Sequence, residues 1–344
     1  MSIGIYLSFP FSRNPLRNLT WGKYPYPQES VRSYLKSLLQ EIQRTTFSGR
    51  VWSMLWGAGD WSLVSLDYLE NLLSALRSKF HFRPDCEFTL ECNPATLSSQ
   101  SLLTFKKIGV NRLSLSHYSY PQLKQIVSTL GRLGLVNFNF DLYFGQPGQT
   151  LSAWQKELER LLLLRPSHLS LYSFDSKKAN QRLKQKIYYH SLDFLSQNGY
   201  KQYEICHFCR PGFQSKQNSI YWNRKDFAGF GLGSCSFWKN IRSQNTSGLG
   251  EYLRLIKKYG SAVIQRQKIN PEQEQSEELY YALRQTRGLD LNGFRQKYGE
   301  HFYNKRKNLI DRLIEKGYLF RRQNRLALTK EGFLIADDLI AKLV

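Results

Sequence analysis

The chain has 344 residues, 41% of them hydrophobic, and a formal charge of +22. That length suits one large α/β domain with one or two smaller ones, and no run of about 18 apolar residues is present to span a membrane. The N-terminus lacks the basic start and long apolar core of a signal peptide, so a cytoplasmic protein is expected.

Five cysteines, an odd and sparse set (Cys86, Cys92, Cys206, Cys209, Cys235), fit reduced thiols better than a disulfide framework. The charge is compatible with a nucleic acid, an anionic surface or an acidic ligand. The basic residues are spread along the chain, however, and group only at Lys305-Arg306-Lys307 and Arg321-Arg322. A solvated surface is the expectation.

In chain order, apolar runs at 3–8, 51–56, 87–91, 112–116, 138–143 and 168–174 read as strands. Between them, segments 27–44, 65–79, 98–108, 121–133 and 151–164 repeat apolar residues at helical spacing, as in Leu66, Leu69, Leu72, Leu73 and Leu76. Alternation at this pitch predicts a parallel sheet with helices outside it, a partial (β/α)6 barrel spanning residues 1–178. Residues 179–268 form a looser aromatic- and glycine-rich extension that completes the barrel. From 269 to 344, three helical patterns and two short strands around a turn predict a small winged-helix-like domain. That domain carries 14 basic and 11 acidic residues, so it is not the basic centre of the molecule, and nucleic acid is the less favoured partner.

Two strand ends stand out. E-C-N-P (91–94) closes the third strand, and F-D-L-Y-F-G-Q-P-G-Q-T (140–150) closes the fifth and opens a helix. Carboxylates such as Glu91 and Asp141 at strand C-termini point to a ligand mouth, although either also serves as an ordinary loop cap. In order with I-Y-L-S-F-P-F, G-V-N-R-L-S-L-S, P-S-H-L-S-L-Y-S-F, G-Y-K-Q-Y-E-I, N-S-I-Y-W and D-F-A-G-F-G-L-G-S, these segments give a specific pattern. The sequence resembles the oxygen-independent coproporphyrinogen III oxidase family, in its HemW haem-chaperone branch, over nearly its whole length.

The resemblance implies a radical-SAM fold, porphyrin or haem metabolism, a [4Fe-4S] cluster and S-adenosylmethionine. It assigns Tyr6, Gly57, Glu91 and Asp141 to a S-adenosylmethionine pocket. The family's three cluster cysteines fall on Ser12, Leu16 and Leu19, none of which supplies a thiolate. The Gly-Gly-Gly-Thr-Pro turn becomes Gly57-Ala58-Gly59-Asp60-Trp61, a family glutamine falls on Tyr118, and family histidines fall on Ser8, Gln217 and Cys235. The expectation is a chain that keeps part of the nucleoside pocket, has no metal at the cluster positions and has no radical chemistry. It would serve by binding haem, another tetrapyrrole or a protein partner.

Cys235, Tyr221 and Trp222 are the candidate haem contacts: a thiolate can ligate haem iron, and aromatic rings stack on a porphyrin. Both also read as ordinary core beneath long loops. Cys206 and Cys209 bracket His207 in a C-x-x-C, for which buried, idle thiols are the simpler reading. A basic module binding nucleic acid or protein is the alternative, and an active radical-SAM enzyme is disfavoured.

Overall fold

A computed structural model describes residues 2–13, 24, 25, 27–116, 119–174 and 180–344, apart from the side chain of Phe302. The chain divides into two compact units. Unit 1 holds Met1–Phe140, Ser215–Ile220 and Lys225–Ile269; unit 2 holds Asp141–Gln214, Tyr221–Arg224 and Asn270–Val344.

Unit 1 begins β1 (Ser2–Ser8), α1 (Gln28–Arg44), β2 (Arg50–Gly57), α2 (Leu66–Lys79), β3 (His81–Cys92), α3 (Ser99–Lys107), β4 (Arg112–Leu115) and α4 (Tyr120–Arg132), and runs into β5 (Phe138–Phe144). The strands pair in parallel, in registers such as Tyr6↔Leu55, Leu55↔Thr89, Thr89↔Arg112 and Leu113↔Phe138. β4 is buried at every position because helices cover a parallel sheet on its outer face. α3 begins where the sequence offers a cap. Ser98 and Ser101 close a reciprocal capping box at the start of α3, satisfying two otherwise orphaned N–H groups. α1 turns Val31, Tyr34, Leu35, Leu38 and Ile42 inward, the three- and four-residue spacing of a helix with one buried face.

Unit 2 takes up α5 (Leu151–Leu162), β6 (His168–Ser173), α6 (Gln181–Gln197), β7 (Lys201–Gln202) and β8 (His207–Cys209). β8 runs antiparallel to both β6 and β7. The chain enters unit 1 with α7 (Lys216–Trp222), whose last two residues belong to unit 2, and continues in unit 1 as β9 (Phe227–Phe230), β10 (Cys235–Trp238), β11 (Ile241–Asn245), α8 (Leu249–Tyr259) and β12 (Val263–Lys268).

The sequence reading differs here. The glycine- and aromatic-rich stretch supplies β9, which pairs in parallel with β1 (Tyr6↔Gly229), followed by an antiparallel run through β10, β11 and β12. Cys235, expected in a loop, opens β10. β3 is also longer than expected, because the exposed segment His81–Asp85 still pairs with Arg50 and Val51 before a register shift.

A buried carboxylate ties α1 to the glycine loop after β9. Glu41 accepts from Gly231 N–H (2.8 Å), Asn245 Nδ2 (2.6 Å) and Tyr252 OH (2.7 Å). Beside it, Tyr34 OH donates to the Ser8 carbonyl (2.5 Å).

The remainder of unit 2 is α9 (Pro271–Arg284), β13 (Leu289–Asp290), α10 (Leu291–Tyr298), α11 (His301–Glu315), β14 (Leu319–Arg322), β15 (Arg325–Leu328), α12 (Lys330–Leu334) and α13 (Ala336–Leu343). Its three strands form their own sheet in the order β13-β15-β14. Among the described residues, no helix is long and apolar enough to cross a membrane.

Candidate functional site

Three strand ends meet in unit 1. Past β1, Phe9 N–H donates to the Gly57 carbonyl (3.0 Å), and Phe11 carbonyl accepts from Asp60 N–H (2.9 Å). Ala58, at φ +67°, directs its N–H to Glu91 Oε2 (3.2 Å). The two glycines of this turn are required by contact: a Cβ on Gly57 would lie 2.2 Å from Glu91 Oε2, and one on Gly59 would lie 1.9 Å from the Phe9 carbonyl oxygen. The same Cβ on Gly57 would lie 3.3 Å from the Tyr6 ring. Tyr6, Gly57 and Glu91 are therefore brought together, whereas Asp141, on β5, opens unit 2.

Aromatic rings fill the space behind the turn. Trp61, fully buried, lies 4.7 Å from Trp56 and 4.9 Å from Phe9, and its indole N–H reaches the Gly57 carbonyl (3.2 Å). Asp60 accepts from Ser62 N–H and Oγ, and burial raises its carboxyl above the ordinary range. Cys92, beside Glu91, is a buried thiol pushed well up by burial and then by Asp60 and Glu91, so it stays protonated.

This donor set does not fit an iron–sulfur cluster. Ser12 is buried and offers a hydroxyl, Leu16 and Leu19 lie outside the described residues and carry alkyl groups, and clusters need thiolates. Among the described residues, no three His, Cys, Asp or Glu side chains are placed to share a metal ion. Tyr118 also lies outside the described residues. Of the positions where the resemblance places histidines, Ser8 gives its carbonyl to Tyr34, and Gln217, buried, gives its N–H to Glu87 Oε1 (3.3 Å).

Unit 2 holds a polar chain that sequence reasoning missed. His207 Nδ1 sits 2.5 Å from Glu204 Oε1, both side chains buried, and its Nε2 faces Tyr172 OH at 3.3 Å. His168 Nε2 faces Tyr203 OH at 2.7 Å, and the two imidazoles lie 5.3 Å apart. Tyr143 stacks obliquely on Tyr172 at 5.6 Å. The available signal was the alternation His168, Ser170, Tyr172 along a buried strand, which puts three polar side chains on one face. Arranged this way, imidazole and phenol groups can hold or pass a proton between fixed partners.

Cys209 closes β8 and is buried, whereas Cys206 precedes the strand in a bend. Burial pushes the Cys206 thiol up to about 12, which makes it a poor thiolate.

The candidate haem contacts are split between the units. Cys235, in unit 1, is exposed, and partial burial of its sulfur raises the thiol against the pull of Arg242. Tyr221 and Trp222 close α7 in unit 2. Trp222 packs on Tyr281 (5.9 Å) under the Arg284 guanidinium (5.3 Å) and lines a cavity of ≈ 560 Å³ with Arg224, Arg287, Phe294 and Lys297.

Residues 269–335 match the HemN C-terminal domain. The chain is 26% identical to "Heme chaperone HemW" of Lactococcus lactis, over 98% of this chain and 96% of that one. It is 27% identical to the protein of the same name from Bacillus subtilis, with 97% of each covered. Its fold superposes on coproporphyrinogen III oxidase (HemN) of Escherichia coli with a TM-score of 0.86 at 19% identity, over 99% of this chain and 89% of that one.

The chain belongs to the HemW/HemN radical SAM family. As a family member it keeps the large parallel sheet and the C-terminal helical domain. At the strand ends, it keeps Tyr6 and Glu91 around a turn whose N–H groups its own carbonyls and Glu91 accept.

Proposed function

We propose that this protein handles haem or a related tetrapyrrole by binding it, with no radical chemistry of its own. One observation carries the reading: Ser12, Leu16 and Leu19 stand where the family resemblance places three thiolates. Without soft donors, an iron–sulfur cluster has no attachment there, and no side chain replaces its electron delivery. The full-length relatives named as haem chaperones support the ligand class. Tyr6, Gly57, Glu91 and Asp141 would form a residual nucleoside pocket, and Cys235, Tyr221 and Trp222 are the proposed haem contacts. An odd and sparse set of five cysteines suits a reducing compartment, and we place the protein in the cytoplasm.

Anaerobic reconstitution with iron and sulfide should leave the protein colourless. A brown product with about one cluster per chain would sink the reading. Haemin titration should give a saturable Soret shift, and Cys235→Ala should alter it if that sulfur is a ligand. A spectrum that stays that of free haemin removes the haem assignment.

A further inference from the structure

We infer that the C-terminal part of unit 2 docks double-stranded DNA, with α11 in the major groove and the β14–β15 turn on the flanking phosphates. The element order α9, β13, α10, α11, β14, β15 is that of a winged helix. α10 and α11 meet at a tight corner: Gly299, at φ +77°, donates its N–H to the Arg295 carbonyl (2.7 Å) and turns the chain within two residues. Tyr303, Ile310 and Leu313 fix one side of α11 in the core of the domain, so the opposite side faces outward.

That outward side is what a recognition helix requires. Asn304, Lys305, Asn308, Arg312 and Lys316 are all exposed and fall on one stripe at helical spacing, with Lys307 at its edge. Amide and cationic side chains are the types that read base edges and hold phosphates. Two acidic side chains share that side: Asp311 is half-buried and lies 3.9 Å from Arg321, and Glu315 is exposed, so the stripe carries three cations, Lys305, Arg312 and Lys316, against one exposed acid. Among the described residues, Lys305, Lys307, Arg312, Lys316 and Arg322 pair with no carboxylate.

The near balance of charge across the domain hides a separation within it. Residues 300–325 hold eight basic and three acidic side chains, whereas the rest of 269–344 holds six basic and eight acidic. Half of those eight acids lie on α9, where Glu277 pairs with Arg224 (2.9 Å) and Glu274 and Glu278 pair with Lys297 (2.9 and 2.8 Å). The positive end is therefore the helix-and-wing surface, and a duplex polyanion complements it. DNA is favoured over duplex RNA because the A-form major groove is too deep and narrow to admit a helix.

The test uses the full chain and a fluorescein-labelled mixed-sequence DNA duplex in a salt titration read by anisotropy. Binding should weaken steeply between about 50 and 200 mM salt. Lys305→Glu, Arg312→Glu and Arg322→Glu combined, with circular dichroism and Tm unchanged, should weaken binding at least about tenfold and reduce the log–log salt slope by about 2 to 3. The reference variant moves the same charge elsewhere, as Lys36→Glu, Lys124→Glu and Lys257→Glu on exposed positions of unit 1. If the reference weakens binding as much, if the wild type does not bind, or if a matched RNA duplex binds as tightly, the inference is overturned.

Discussion

Glu41 in unit 1 and Glu204 in unit 2 are both buried carboxylates, 7% and 1% exposed, yet different chemistry holds them. Glu41 accepts from an amide N–H, an asparagine and a tyrosine, all neutral donors. Glu204 accepts from Cys206 N–H (2.8 Å) and faces the imidazole of His207 (2.5 Å). The strand-end turn of unit 1 follows the first pattern, with Glu91 on an amide and Asp60 on serine. Unit 2 instead sets ionisable groups against one another, from Glu204 through His207 to Tyr172. A carboxylate among neutral donors keeps its place whatever its proton count. One against imidazole depends on that ring for its partner, and losing the ring leaves a buried polar group without it. Unit 1 thus holds its strand-end turn with neutral donors, while unit 2 sets imidazole and phenol groups beside a buried carboxylate.

The largest effect should come from disturbing the strand-end turn. Gly59→Ala places a methyl against the Phe9 carbonyl with no room to shift, and should cost about 3 kcal/mol or more. Gly131→Ala, in α4 with nothing within 4 Å of the new Cβ, should instead gain about 0.5 to 1 kcal/mol. Urea midpoints read both. If Gly59→Ala is as harmless as Gly131→Ala, the turn is not packed against the Phe9 segment, and the unit 1 half of the comparison fails.

Next in size is the ionic half. His207→Ala strands Glu204 in the interior and should cost about 3 kcal/mol. Glu204→Leu combined with His207→Phe should recover much of that, because an apolar pair of similar volume leaves no buried charge. Were His207→Ala to cost no more than Cys206→Ala, the imidazole would be packing rather than pairing, and the contrast between the units would dissolve.

How much was legible follows the same division. The parallel strands could be read because runs such as V-W-S-M-L-W-G are continuous, apolar and bounded by turns. β9 to β12 could not, since each is short or glycine-broken and β9 forms by pairing with β1 on one side and β10 on the other. Tyr6, Gly57 and Glu91 were visible from their places at strand ends. Trp61 was not, because no period marks a side chain that turns inward from a loop. The Glu204–His207–Tyr172 chain was hidden because His168 and His207 become neighbours only through the antiparallel pairing of β6 and β8. The charge separation of the C-terminal domain was hidden by a total that ignores which helix face is buried.

The smallest effect, a pH slope, sharpens the comparison from the unit 1 side. Burial raises Glu41 from 4.5 to about 7, against the pull of Tyr252, Asn245 and Gly231. The folded state therefore holds this proton more tightly than the unfolded chain does. The stability it contributes is fully present below about 4.5 and is lost as pH rises through about 7. The neighbouring Tyr34 and Tyr252 are pushed up by burial and stay neutral throughout this window, so the slope belongs to Glu41. It cannot exceed about 1.4 kcal/mol per pH unit, the limit for one proton. Glu41→Gln carries no such proton and keeps an acceptor for Tyr252 or Asn245. The difference in unfolding free energy between variant and wild type should then grow in the variant's favour from pH 4.5 to 7 and stay level above it. A difference that does not change across that range would mean that Glu41 is ionised throughout, its three donors outweighing the cost of burial.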